Sequence, residues 1–278
     1  MKKILVPTDF SEYSEYALKV AATIARQQDA DLVVVHMLGL SEAVISKDES
    51  REVMEALYYM KLAEKRFDEY LDKPFLEGLN IHTTVQNYKV FSELGGVAEE
   101  FNADLIVMGS HGSSGWDEVF VGSNTEKVVR TASVPVLVVK HDQANFTMDK
   151  VVFACDFRSE SIPALAKARA LCKTMGAQLQ LLYVHLPAEQ FRSTAEVQER
   201  IETFFAKAGW NEPSLMDGIA FYSDYTVEDG LFSYSNKVGA DVIGIPTHGR
   251  KGLAHFFSGS IGEDVVNHSD IPVITFKI

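Results

Sequence analysis

One plan is written twice in this chain, and that constrains its fold more than any other feature. Pro7-Thr8-Asp9-Phe10 near the start is matched by Ala154-Cys155-Asp156-Phe157, with Asp9 and Asp156 standing 147 positions apart. Ala103-Asp104-Leu105-Ile106-Val107-Met108-Gly109-Ser110-His111-Gly112 is matched by Ala240-Asp241-Val242-Ile243-Gly244-Ile245-Pro246-Thr247-His248-Gly249, now 137 positions later. Each block runs on to a Gly-Ser pair, Gly122-Ser123 and Gly259-Ser260, and each half ends on a Pro-led apolar segment starting at Pro135 or Pro272. Either half serves as a control for the other.

The 278 residues thus divide into halves of roughly 140, each large enough for its own core. We expect domains at 1–141 and 149–278, joined by a short polar linker. In the first half, buried strands are expected at 3–6, 31–37, 104–108 and 135–140, with an alternating strand at 81–88. Helices are expected at 12–27, capped by Ser11, and at 50–73, 92–101 and 123–131. The second half repeats this order, with strands at 150–155, 178–184, 218–222, 241–245 and 272–277. Its helices are expected at 160–175, 194–208, 226–238 and 260–268. Strands alternating with helices imply parallel crossovers, hence an α/β fold of two tandem doubly wound domains, each with a five-stranded, mostly parallel sheet flanked by helices. The changed offset places a loss of about ten residues between the second and fourth strands of the second half, most naturally in the long helix at 50–73.

Ligands of open parallel sheets sit beyond the carboxyl ends of the strands. Asp9 leaves the first strand there, Gly109 to Gly112 leave the fourth, and Gly122-Ser123-Asn124 opens the next helix. A helix N-terminus offers unpaired N–H groups to an anion, and glycine lets backbone approach a phosphate. Gly109-x2-Gly112-x9-Gly122-Ser123 therefore reads as a two-piece phosphate cradle. It is neither a Walker loop nor a Gly-x-Gly-x-x-Gly dinucleotide turn. The net charge of −13 opposes binding to nucleic acid or an anionic membrane, but not to a small phosphate held locally. No segment approaches a membrane span and the start carries no secretory pattern, so a cytoplasmic location is expected. Two cysteines suit a reducing compartment, and Cys155 and Cys172 are expected in the core.

On Pro7-Thr8-Asp9 and Gly109-Ser110-His111-Gly112…Gly122-Ser123, the chain resembles the universal stress protein family in its tandem form, over nearly its whole length. The resemblance implies a Rossmann-like fold of the adenine nucleotide alpha hydrolase type and a first domain that binds ATP (or AMP or ADP), with Mg²⁺ accompanying the triphosphate. It implies that Pro7, Thr8 and Asp9 line the adenine and ribose side and that Met37 meets adenine through its backbone. Met108, Gly109, His111 and Gly112 would follow ribose and phosphates, and Gly122, Ser123, Asn124 and Thr125 would hold the phosphate tail. It further implies an intramolecular pseudo-dimer of the two domains and a homodimer of chains. The function expected is a stress-response regulator rather than an enzyme. A slow ATPase or phosphotransferase and a nucleotide-free protein scaffold remain the alternatives.

The second half departs from the pattern at Pro246, which stands where Gly109 does and lacks an N–H. A second site on Asp156, Val184, His248, Gly249, Arg250, Gly259 and Ser260 is expected to be degraded or retuned for another anion, with Arg250 and Lys251 replacing Ser113 and Ser114. Asp9 and Asp156 are read as ligand groups because Ser11 has no twin beyond Asp156, so capping alone does not explain the repeat. His111 and His248 lack neighbouring ligands at metal spacing and are expected to pack their loops or touch ribose-phosphate. Met54, Tyr58, Tyr59 and Met60 are expected in core or interface.

Overall fold

The computed structural model describes residues 1–38, 49–86, 93–110, 123–211, 213–247, 265–266 and 269–278. The chain forms two compact units, Met1–Phe146 and Thr147–Ile278. In the first, β1 (Lys3–Thr8), α1 (Glu12–Gln28), β2 (Asp31–Met37), α2 (Glu49–Leu71), β3 (Ile81–Gln86), α3 (Leu94–Glu100), β4 (Leu105–Gly109), α4 (Ser123–Thr131) and β5 (Val136–Val139) follow one another. Its strands lie in the order β3-β2-β1-β4-β5, every pairing parallel.

The second unit runs β6 (Lys150–Ala154), α5 (Ile162–Met175), β7 (Gln178–His185), α6 (Thr194–Ala208), α7 (Pro213–Asp217), β8 (Ala220–Ser223), α8 (Val227–Val238), β9 (Val242–Thr247) and β10 (Val273–Lys277). Its parallel order, β10-β9-β6-β7-β8, is the same plan. The short α7 was not expected from the sequence. Of the helix expected at 260–268, only Val265 and Val266 lie among the described residues, and both are helical.

The central strands carry unbroken apolar runs because both faces are covered, so no polar alternation is needed. Ile4, Leu5 and Val6 of β1 and Leu105, Ile106 and Val107 of β4 are fully buried. Helix α1 covers them with Ala17, Leu18, Val20, Ala21, Ile24 and Ala25, mostly small residues that let the helix lie close to the sheet. Each of the larger side chains contributes about 1.5–3 kcal/mol by leaving water. The helix starts where expected: the Ser11 hydroxyl accepts from Ser14 N–H. Ser193 and Glu196 close a reciprocal capping box on α6, which ends at Gly209 in the left-handed conformation.

One repeated residue is explained at the amino edge of the sheets, away from any crevice. The Asp104 carboxylate accepts from the N–H groups of Lys2 (2.5 Å) and Lys3 (3.2 Å), tying the start of β1 to the start of β4. Asp241 does the same for Asp149 (3.0 Å) and Lys150 (2.8 Å) in the second unit. These carboxylates satisfy backbone donors that the strand ladder leaves open.

Pro246 is tolerated in β9 for a reason of register. Ile243 N–H bonds the Pro272 carbonyl toward β10, so the alternating groups at 244 and 246 point toward β6. Pairing with β6 ends at Phe153 opposite Gly244, so the proline stands past the last rung and no ladder bond is lost.

Candidate functional site

Strand register gathers several expected residues at one carboxyl edge. Thr8 lies opposite His36, with Met37 one position further, and β4 flanks β1 on the other side, ending at Gly109. Beyond Thr8 the chain makes a tight turn. Phe10 N–H donates to Thr8 Oγ1 (2.9 Å), while Asp9 Oδ1 accepts from both Ser11 N–H (3.0 Å) and Ser11 Oγ (2.5 Å). Phe10 sits at φ 64°, a left-handed conformation that a bulky side chain rarely adopts. The second unit repeats the turn: Phe157 has φ 56°, its N–H donates to Cys155 Sγ, and Asp156 Oδ1 accepts from Arg158 N–H (2.9 Å). The aspartate repeat is thus explained by a side-chain-to-backbone turn that does not depend on whether Ser11 or Arg158 follows. As expected, helix capping does not explain the repeat: Ser11, not Asp9, caps α1, and Asp156 caps no helix among the described residues.

The left-handed turn throws the Phe10 ring over the ends of β1 and β2. It meets His36 at 4.6 Å between centroids and packs edge-on against Phe67 (5.2 Å) and Tyr70 (5.4 Å) of α2. The Arg66 guanidinium lies over the same ring at 5.5 Å. Below it runs a buried hydroxyl network: Tyr70 donates to Ser14 Oγ (3.1 Å), Ser14 donates to the Ser11 carbonyl (2.8 Å), and Thr8 Oγ1 lies 3.0 Å from Ser14 Oγ. Burial pushes the Tyr70 phenol up to about 12 and moves the His36 imidazole below its ordinary value. His36 Nδ1 lies 2.7 Å from the Thr8 carbonyl and donates to it as the N–H tautomer. None of His36, Arg66, Phe67 and Tyr70 was expected at the site. The repeated Asp-Phe dipeptide was the available signal for the turn.

Among the other expected residues, Pro7 and Thr8 are buried in β1, Met37 ends β2, and Met108 is buried in β4. Gly109 is glycine for a packing reason. A Cβ there would stand 2.7 Å from the Tyr13 carbonyl oxygen and 2.8 Å from its carbon, so α1 touches β4 backbone to backbone. Ser123 opens α4 and Asn124 is exposed in its first turn. Thr125 is buried, and its hydroxyl faces the carbonyls of Gly109 (3.0 Å) and Ser110 (3.3 Å), fastening the start of α4 to the end of β4. His111, Gly112 and Gly122 lie outside the described residues.

In the second unit, Asp156 is half-buried, and its Oδ2 pairs with Arg158 Nε at 3.0 Å. Burial nevertheless raises its carboxyl to about 6, the nearby Arg158 and Arg200 opposing this only in part. Val184 packs against Gly230 of α8, whose added Cβ would meet it at 2.6 Å. His248, Gly249, Arg250, Gly259 and Ser260 lie outside the described residues. Cys155 and Cys172 are buried free thiols, as expected, and burial alone pushes Cys172 up to about 12. Tyr58 is 65% exposed and Tyr59 stands beside it at the surface, so neither is a core residue of its unit. Among the described residues, no helix is long and apolar enough to cross a membrane, and no group of three His, Cys, Asp or Glu is placed to hold a metal ion.

Comparison with known proteins is consistent with this architecture. Universal stress protein MJ0531 of Methanocaldococcus jannaschii is 36% identical over 149 residues, half of this chain and 82% of that protein. Universal stress protein MJ0577 of the same organism is 30% identical over 155 residues, again half of this chain and 94% of that protein. A crystal structure of a universal stress protein from Archaeoglobus fulgidus superposes with a TM-score of 0.64 at 23% identity, spanning 99% of this chain and 96% of that one, which fixes the tandem fold. The model of the universal stress protein family matches residues 1–140 and 226–277, more than half of the chain. The chain belongs to the universal stress protein family.

Proposed function

We propose that the first unit binds ATP, or a related adenine nucleotide, as a regulatory ligand in a stress response, and that occupancy changes the affinity of the protein for its partners. One observation carries the reading. The Gly109-x2-Gly112-x9-Gly122-Ser123 pattern begins at the last residue of a central strand and ends at the first residue of a helix. Its two ends therefore meet the two places where a doubly wound domain presents backbone N–H groups to a phosphate.

In this reading the Asp9 carboxylate, held by Ser11, accepts from the ribose hydroxyls. Met37 contributes backbone to the adenine side, and Gly112, Gly122, Ser123 and Asn124 serve the phosphates. Gly109 and Thr125 are positioning residues: one sets how closely α1 approaches β4, the other fixes where α4 begins. Mg²⁺ would accompany the triphosphate and offset its charge, since the loop carries no lysine to do so. The buried free thiols suit a reducing compartment such as the cytoplasm.

The test is to denature the purified chain and chromatograph the supernatant for adenine nucleotide, then to titrate nucleotide-free protein with MgATP in a calorimeter. About one nucleotide per chain is expected, with binding weakened far more by Gly112→Val or Asp9→Ala than by Gly249→Val. Absence of nucleotide together with no heat of binding would overturn the proposal. Steady ADP release lost on Gly122→Val would replace a regulator by an enzyme.

A further inference from the structure

A groove of about 470 Å³ in the second unit lies between the Phe157-Arg158-Ser159 turn and α6. Glu196, Glu199, Arg200 and Thr203 share the α6 face that lines it, at helical spacing, and Arg192 stands just before the helix. Its volume falls in the range of small-molecule pockets.

The first unit shows that this is not a framework feature. Phe157 packs edge-on against Phe204 at 5.5 Å just as Phe10 does against Phe67 at 5.2 Å, so residue 204 of α6 corresponds to residue 67 of α2. On that alignment Arg200 replaces the buried Ala63, and Arg158 replaces Ser11 across the turn. Helix α6 has 15 residues against 23 in α2, and the missing turns are the first ones. The groove opens at that shortened end.

The charges are arranged for an anion. Arg158, Arg192 and Arg200 are each half-buried, whereas Glu196 and Glu199 are exposed. Glu196 is held at the helix start, its Oε2 accepting from Ser193 N–H (2.8 Å) and Oγ (2.9 Å). Arg158 keeps Nε on Asp156, and Arg192 donates Nη1 to the Phe191 carbonyl (2.6 Å). No described residue accepts a hydrogen bond from Arg200. A guanidinium presents a planar fork of donors that matches phosphate, and it is costly to half-bury without an acceptor. Ser159 and Thr203 add hydroxyls, and Phe157 adds an apolar wall.

We propose that this groove binds a small phosphate-bearing molecule, its phosphate held by Arg200 with Arg158 and Arg192. The site is independent of the nucleotide reading for the first unit.

The test follows the arginine Nε–Hε resonances of the full chain by NMR while glucose 6-phosphate is added, with glucose as the control. Saturable shifts at Arg158, Arg192 and Arg200 are expected with the phosphate ester and none with glucose. Arg200→Ala should weaken binding about tenfold or more without lowering the thermal midpoint, and Arg200→Lys should restore part of the affinity. Asp9→Ala, in the first unit, should leave the titration unaltered. The proposal is overturned by shifts that never saturate, by unchanged affinity in Arg200→Ala, or by binding that disappears with Arg250→Ala while surviving Arg200→Ala.

Discussion

Gly109→Ala tests whether a glycine of the expected phosphate loop is there for the ligand or for the fold. The added methyl would stand 2.7 Å from the Tyr13 oxygen, 2.8 Å from its carbonyl carbon and 3.2 Å from Ser14 nitrogen. Ordinary contacts of this kind lie near 3.5 Å, so the overlap is about 0.7 Å. All three neighbours are backbone, so no rotamer change relieves it. The first turn of α1 is also fixed by the Ser11 cap and by the Thr8–Ser14–Tyr70 hydroxyls. Overpacking of this sort costs about 1–3 kcal/mol, and disturbing one of the buried hydroxyl bonds adds about 1 kcal/mol. We expect a loss of about 2–4 kcal/mol in the first unit and none in the second. Hydrogen exchange of the intact chain, read peptide by peptide, separates the two units where a single unfolding curve would not. Peptides of β1, α1 and β4 should exchange roughly 30- to 1000-fold faster under conditions of global opening, while those of β6, α5 and β9 keep their rates. If first-unit exchange is unchanged and only MgATP affinity falls, the packing explanation is refuted.

Three further outcomes follow from the same contacts. Asp104→Ala and Asp241→Ala each strand two backbone donors and should cost about 1–3 kcal/mol, confined to the unit concerned in the same exchange measurement; unaltered protection would show that water replaces the carboxylate without loss. Ser14→Ala should cost about 1–3 kcal/mol, whereas Ser161→Ala, at a buried hydroxyl with no partner among the described residues, should be neutral or stabilising in thermal unfolding; equal costs would contradict the hydroxyl assignments. Asp156 titrates near 6 in the folded protein against 3.8 as a free side chain, so the folded state holds the proton more tightly. Stability from this group is therefore greatest at low pH and falls between about pH 4 and pH 6, by on the order of 2 kcal/mol; the stability of the chain relative to its Asp156→Asn variant should fall by that amount over that window, and a flat difference would count against the buried carboxyl.

Much of the scaffold was legible because its causes are local or periodic. Buried parallel strands announce themselves as β-branched runs, and the helix at 194–208 coincides with α6 because Ser193 and Glu196 mark its start and Gly209 its end. The site was legible only in outline. Asp9 and Asp156 were placed correctly at the strand ends, yet the turn that explains their recurrence involves Phe10 and Phe157 at positive φ, which no propensity favours. Gly109 was read for its freedom near a ligand, but its neighbour is a carbonyl nearly a hundred residues earlier, a contact that exists only after the sheet has formed. Thr125 was read as facing phosphate, while its partners are the carbonyls closing β4. His36, Arg66 and Tyr70 escaped attention because strand and helix meet over the turn through tertiary packing. Arg200 has no counterpart in the first half, so comparing the halves for likeness could not find it.

The paired anchors Asp104 and Asp241 stand at the opposite rim from the crevices. Tasks are thereby partitioned along the strand axis: one rim secures the scaffold, the other is left at liberty. A gene duplicate with that partition can trim a helix, acquire arginines or accept a proline beside its crevice without unfastening its β-framework. Tandem copies of this kind can diverge in what they recognise while remaining, strand for strand, the same domain.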